Sequence, residues 1–318
     1  MNELKQFIKL VANELFKTFF QKKTVVFILF IIIAILVIVI GSIKLDKGTT
    51  WKIDLESQIT NLEKTISDEK TTDTDESIVR SDEERLELLK YRLAHNIPEN
   101  VITPLRFVYN CNKIVTFIVL FMAIFSANII AEEYSKGSIR QLLIKPVKRW
   151  EIFTAKFCSV ALVSIILCSL LFIISLIIGL ILFSKNSSSI NDVILSNGNL
   201  VERNMLQYVI LSSLSDVFSI VVISSLSFLV ATIVRTAGLS IIISISVYFG
   251  GLIGVSFLKN NPIYKYMLTP NLSLSSYLPG GNLPFEGASF SFSLIICIIY
   301  LIIFLFSGLY IFSIRDVY

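Results

Sequence analysis

The sequence predicts an all-α polytopic membrane protein with six transmembrane helices, an N-terminal interfacial amphipathic helix and an extracellular helical hairpin between spans one and two. Three observations predict it. Of 318 residues, 54% are hydrophobic and 16% charged, against about 45–50% and about 25% in ordinary soluble domains. The apolar residues gather in blocks close to the roughly 20 residues that one bilayer crossing needs. Lysine and arginine concentrate in alternate connecting segments. With 13 glycines and 7 prolines, the composition excludes a fibrous protein, and the low charge excludes a disordered tail.

Residues 1–23 carry Leu4, Phe7, Ile8, Val11, Leu15, Phe16 and Phe19 at steps of three and four, with Lys5, Lys9 and Lys17 between them. That spacing makes an amphipathic helix with a basic polar face, suited to the cytoplasmic membrane interface. The first span follows at 24–43. It lacks a small-x-small cleavage site and continues into Lys44, so it reads as an uncleaved span and not a signal peptide.

Residues 44–112 form the one long hydrophilic region, with ten Lys/Arg against fourteen Asp/Glu. Leu55, Ile59, Leu62 and Ile66 make a short heptad seam, and Leu86, Leu89 and Leu93 a second. The polar run from Thr71 to Ser77 separates them, so a helical hairpin is expected, closed by Pro98 and Pro104.

The remaining spans are expected at 113–131, 153–183, 208–234, 238–258 and 291–312. Between them lie a cytoplasmic segment (132–152), an extracellular loop (184–207), a tight cytoplasmic turn (235–237) and an extracellular or re-entrant loop (259–290). That last loop is broken by Pro262, Pro270, Pro279, Gly280, Gly281 and Pro284 yet rich in tyrosine and leucine. Short re-entrant or interfacial helices fit it, because irregular backbone at membrane depth needs burial in protein or a cavity. A short tail, 313–318, closes the chain. Lys5, Lys9, Lys17, Lys22, Lys23, Lys136, Arg140, Lys145, Lys148, Arg149, Arg235 and Arg315 fall on one side, so both termini are expected in the cytoplasm.

Catalytic patterns are missing from the sequence. There is no Gly-Lys dipeptide, hence no P-loop, and no HExxH, GxSxG or GxGxxG motif. The single histidine, His95, sits in the polar hairpin, and the four cysteines (Cys111, Cys158, Cys168 and Cys297) have no metal-ligand spacing. Neither an enzyme, a metal site nor nucleic-acid binding is expected. Asp216 is the exception among apolar neighbours. Either Ser212, Ser215, Asp216 and Ser219 form a polar stripe on a translocation path, or the span starts later and Asp216 caps it at the interface.

The segment 132–152 bears the functional argument. Gly137-Ser138 offers a break and a helix cap, Ile139, Leu142 and Leu143 a small apolar face, and Pro146 a stop. Two turns of helix with exposed leucines fit a groove on a soluble partner. Pairing of Glu132 and Glu133 with Lys136, Arg140 or Arg149 would hold the segment in place.

The pattern through Glu132, Glu133, Gly137, Ser138, Leu142, Leu143, Pro146 and Arg149, following the second of six spans, resembles the coupling segment of ABC-2 type permeases. Ser138 replaces the commoner threonine, and the long hairpin after span one is not general in that family. In size and texture the chain looks most similar to bacitracin-resistance and antibiotic-peptide-immunity permeases. The resemblance implies an exporter of amphiphiles such as peptide antibiotics or lipids, with two permease subunits, identical or related, forming the path. ATP and Mg would sit on a separate ABC ATPase subunit, leaving no cofactor on this chain. A membrane sensor or scaffold, detecting a ligand through the outer hairpin, is the alternative.

Overall fold

The structure, a computed structural model, describes residues 2–46, 48–71, 76–98, 101–135, 148–184, 191–196, 199–258, 261–285 and 287–314. Among them stand six helices long and apolar enough to cross a membrane: Lys22–Leu45, Pro104–Ser135, Arg149–Phe183, Met205–Val234, Ala237–Gly254 and Phe290–Ile314. The chain is a multi-pass, predominantly helical membrane protein.

Helix α1 (Asn2–Phe19) precedes the first span, α2 (Lys22–Leu45). Helices α3 (Trp51–Thr71) and α4 (Glu76–Ala94) follow, packed on each other. The second span combines α5 (Pro104–Cys111), a 3-10 turn (Asn112–Ile114) and α6 (Val115–Ser135). The third is α7 (Arg149–Phe183). Strands β1 (Asn191–Ser196) and β2 (Asn199–Asn204) lead into the fourth, α8 (Met205–Val234). The fifth and sixth are α9 (Ala237–Leu258) and α11 (Phe290–Ile314), with the short α10 (Leu268–Leu272) between them.

The second span starts at Pro104, earlier than the apolar block at 113. The Thr103 hydroxyl accepts a hydrogen bond from the Arg106 amide, and Pro104 occupies the first turn, where its missing N–H costs nothing. Phe107, Val108 and Cys111 are buried, and Gly179 of α7 lets the chains approach closely. A Cβ there would lie 3.0 Å from the Pro104 carbonyl oxygen.

The core sits along α6 and α8. In these two spans 61% of the apolar window is buried, against 11–28% in the other four. Helix α8 touches α6, α7, α9 and α11. Its interior face is serine-rich, which permits close helix contact where the surroundings offer no hydrophobic driving force. Most of the hydroxyls are satisfied locally: Ser212, Ser225, Ser227 and Thr232 donate to carbonyls three or four residues back, whereas the buried Ser224 hydroxyl finds no partner among the described residues. Ser126 of α6 donates to the Ser224 carbonyl across the interface at 2.6 Å. An aromatic cluster of Phe153, Phe228 and Phe312, with ring centroids 4.9 and 5.6 Å from Phe153, joins α7, α8 and α11.

The tight turn is present. Helix α8 ends at Val234, Arg235 takes the left-handed conformation (φ 61°), and α9 starts at Ala237. The proline-rich loop forms a 3-10 turn (Pro262–Tyr266), α10 and a second 3-10 turn (Leu274–Tyr277). Asn271, fully buried, pins it. Its amide donates to the Lys265 and Met267 carbonyls (2.9 and 2.7 Å), and its oxygen accepts from Ser293 of α11 (2.5 Å). Tyr264 donates to the Pro284 carbonyl at 3.0 Å, and burial pushes its phenol pKa up.

In the helical hairpin, Leu55, Ile59 and Leu89 are buried with Trp51, Leu62, Leu86 and Leu93 packed around them. The ion pairs Lys70–Glu83 (2.6 Å) and Lys90–Glu63 (2.7 Å) cross it. At 21 residues, α3 extends roughly 31 Å at 1.5 Å per residue.

One departure from an all-α fold is the antiparallel pair β1–β2, in register from Asn191↔Asn204 to Ser196↔Asn199. It is held to α4 by a charge cluster. Arg92 donates to Asp192 Oδ1 (3.2 Å) and to the Val193 carbonyl (2.5 Å), and Arg203 donates to Asp192 Oδ2 (3.1 Å) and to the Pro279 carbonyl (3.2 Å). Tyr91 donates to Glu202 at 3.0 Å, and the accepting carboxylate raises the phenol pKa. Asp192→Asn removes the shared anion between two poorly exposed guanidinium groups. We expect faster hydrogen exchange at the β1–β2 and α4 amides with the six spans unchanged. Unaltered exchange there would show that the cluster does not hold the two hairpins together.

Candidate functional site

Two polar assemblies lie inside the helical bundle, one at the end that carries α1 and one toward the end that carries the hairpins.

At the α1 end, Lys156 is the centre. It sits two turns into α7 among apolar neighbours and is 2% exposed. Its Nζ lies 2.6 Å from Glu133 Oε1 and 3.1 Å from Glu14 Oε2. Lys17 Nζ adds contacts of 3.3 Å to Glu14 and 3.9 Å to Glu133, and Lys23 Nζ lies 2.7 Å from Glu132 Oε1. One ammonium between two carboxylates, with a second lysine beside them, offsets the several kcal/mol that each buried ion costs. The cluster ties α1, the start of α2, the end of α6 and the start of α7 together. Beside it opens a cleft of about 290 Å³ whose polar lining includes Gln21, Asn128 and Glu132.

Helix α1 docks by a mixed strip in which Glu14 and Thr18 are buried and Leu15 and Phe19 pack on the core, while Leu4, Ile8 and Phe16 and the lysines Lys5 and Lys9 are exposed. Thr24 donates to the Thr18 carbonyl at 2.7 Å, fixing the bend into α2. At the same end Arg149 donates to the Ser313 carbonyl of α11 (3.0 Å), and the Arg235 guanidinium lies 4.9 Å from the Tyr134 ring centre. The basic segments around α1, Arg149 and Arg235 therefore share one end of the bundle.

Of the motif residues, Glu132, Glu133 and Arg149 frame the connection between α6 and α7. Gly137, Ser138, Leu142, Leu143 and Pro146 lie outside the described residues, as do the expected carboxylate partners Lys136 and Arg140. Lys156, Lys17 and Lys23 emerge as partners the sequence reading missed. An isolated lysine inside an apolar run was the available signal, since such a charge requires a counter-ion.

The second assembly surrounds Asp216. Helix α8 begins at Met205 with Asn204 as its cap, its side chain accepting from the Leu206 and Gln207 amides. Asp216 is thus not a capping residue but lies roughly 16 Å into the helix. Asn112, in the 3-10 turn of the second span, donates to Asp216 Oδ2 at 2.7 Å. Asp216 and Ser219 line a cavity of about 330 Å³ with Tyr109, Lys113, Tyr248 and Thr269. Ser219 donates to the Leu272 carbonyl at 2.5 Å, closing the loop over the cavity. Ser212 and Ser215 donate back to Val209 and Leu211 of their own helix and do not line it. The expected stripe therefore divides after its first two serines. Among the described residues no group of three or more His, Cys, Asp or Glu is placed to hold a metal ion.

These features define a multi-pass membrane protein with a buried ion-pair lattice at one end and a partly polar cavity between helices toward the other. The chain belongs to the family described as protein of unknown function DUF2705, whose profile matches residues 82–318. It is 30% identical over 276 residues to the uncharacterized protein YhcI of Bacillus subtilis (strain 168), covering 86% of each chain. It is 28% identical over 197 residues to the uncharacterized membrane protein YdbK of the same organism, covering 61% of this chain and 75% of that one.

Lys156→Met leaves Glu14 and Glu133 facing each other in a buried site. We expect a stability loss of about 3 kcal/mol or more, read as a lower midpoint of thermal unfolding in detergent. Adding Glu14→Gln and Glu133→Gln should recover most of it. An equal loss in the triple variant would mean that packing of the lysine stem, not charge, matters at this position.

Proposed function

We propose that this chain is the membrane-spanning permease subunit of an ATP-driven exporter of the ABC-2 type. The observation that carries the reading is the lattice joining Glu132 and Glu133 to Lys23, Lys156, Lys17 and Glu14. The motif segment leaves α6 at these carboxylates and returns into α7 just before Lys156, so both of its roots are tied to α1. A push on the segment then reaches several spans as a rigid unit, the kind of coupling that a two-state transporter needs.

In this reading the α1 end is cytoplasmic, in keeping with its lysines and arginines. The outward Leu4, Ile8 and Phe16 of α1 lie in the membrane interface, and the α3–α4 hairpin stands outside the bacterial cell. ATP and Mg belong to a separate ATPase whose groove receives the segment around Leu142 and Leu143. A second permease subunit completes the path, and the cargo is an amphiphile such as a peptide antibiotic or lipid.

A sensor is the second reading. The Arg92–Asp192–Arg203 cluster favours it, because it links the hairpin through β2 to α8 without a flexible joint. Purification of the tagged full chain from its native membrane in mild detergent distinguishes the two. A P-loop ATPase is expected to co-purify and to be lost when Leu142 and Leu143 are both changed to Asp, with membrane insertion unaffected. Absence of an ATPase, with another cytoplasmic partner in its place, would overturn the exporter reading.

A further inference from the structure

The Asp216 cavity does not stand alone. On the outer surface of α7 and α8 runs an apolar groove of about 550 Å³, lined by Ile165, Phe172, Ile173, Ile210, Leu214 and Val217. A constriction of about 10 Å³ separates groove from cavity, walled by Cys168, Phe172, Ser213 and Asp216 among others. That volume is of the order of a single water. Asp216 thus borders both the constriction and the polar cavity.

Charge identifies what the pair of spaces would hold. Asp216 is the one charged residue in the 30-residue helix α8. Its Oδ2 is held by Asn112, a neutral donor, and the carboxylate has no ion-pair partner among the described residues. Lys113 lines the same cavity from the second span but is exposed and pairs with no carboxylate among the described residues. A carboxylate kept within a membrane helix without a protein counter-ion is matched by a cation that arrives with a ligand. The adjoining groove is nearly devoid of polar groups and faces outward from the bundle, as an alkyl chain requires.

We propose that groove and cavity form one lateral site between the third and fourth spans for an amphiphile with an ammonium head. The apolar tail lies along Ile165, Ile173, Ile210 and Leu214. The ammonium sits beside Asp216, which Asn112 orients, and Phe172 must swing aside to admit it. Lys113 is placed for an anionic group such as a phosphate on the same ligand. As a cargo site this rests on the exporter reading; as a binding site it does not.

The test is native mass spectrometry of the purified full chain in dodecyl maltoside with an equimolar mixture of phosphatidylethanolamine and phosphatidylglycerol of matched acyl chains. Phosphatidylethanolamine adducts are expected to predominate at least fivefold. Asp216→Asn should abolish the preference, and Asp216→Glu should retain it. Leu214→Trp, on the outer wall of the groove, should reduce binding of both lipids while keeping the preference. Dodecylammonium should displace the bound phosphatidylethanolamine and dodecyl sulfate should not. Unchanged preference in Asp216→Asn, or equal displacement by dodecyl sulfate, would overturn the proposal, provided the variants unfold at the same temperature as the parent. No ATPase is present in this experiment. A missing lipid preference leaves the exporter reading intact, and a missing ATPase partner leaves the lipid site intact.

Discussion

A lysine ammonium buried among apolar helices must be given anions, and the α1 end of this protein is arranged around that requirement at Lys156. Glu133 comes from the end of the second span and Glu14 from a helix that precedes the first. Neither carboxylate would be tolerable there without the lysine. The result is that α1, which by its periodicity belongs to a membrane surface, turns Glu14 and Thr18 inward beside Leu15 and Phe19 and becomes part of the bundle. The same rule governs the interior elsewhere. Asp216 is held by Asn112, Asn271 is saturated by three partners, and Ser212, Ser225 and Ser227 of α8 return their protons to their own backbone.

The two polar assemblies lie on different stretches of the same helices. The second span carries Asn112 near its start and Glu132 and Glu133 at its end. The fourth carries Asp216 in its first half and reaches Arg235 at its end. Because α6 and α8 form the best-buried pair in the bundle, one packed pair of helices connects the two assemblies. Under the exporter proposal these are a connector held by ion pairs at one end and, at the other, a cavity set off from the outer groove by a constriction that Phe172 helps to wall.

Much of this was legible in the sequence because hydrocarbon imposes a length and a composition. All six spans, the amphipathic α1, the paired seams of α3 and α4, the turn at Arg235 and the broken helices after Pro262 follow from apolar periodicity and helix-breaking residues. What was not legible depends on contacts between distant segments. Glu14 reads as one polar residue on a basic helix until Lys156 is placed beside it. The second span was started too late because Arg106, Asn110 and Asn112 interrupt the apolar run, although Thr103-Pro104 is a good helix start. The β-hairpin was missed despite Asn197-Gly198, a dipeptide suited to two-residue turns. Its strands are six residues each, and their hold on the rest of the protein comes from Arg92, about 100 positions earlier.

Asn204 closes β2 and caps α8, so no linker separates the sheet from one of the two best-buried helices of the bundle. A rotation of α8 about its axis swings β1–β2, and the Asp192 cluster passes that swing to α4. The α3–α4 hairpin, roughly 30 Å long by its residue count, then acts as a pointer fixed to a shaft, enlarging a small turn of α8 into a displacement of its tip. Exposed residues along the hairpin, such as Ser67 and Arg80, offer places for a reporter group that disturbs no span. Under the exporter proposal, motion of the buried core is thus readable at the hairpin, the part of the chain that lies outside the spans.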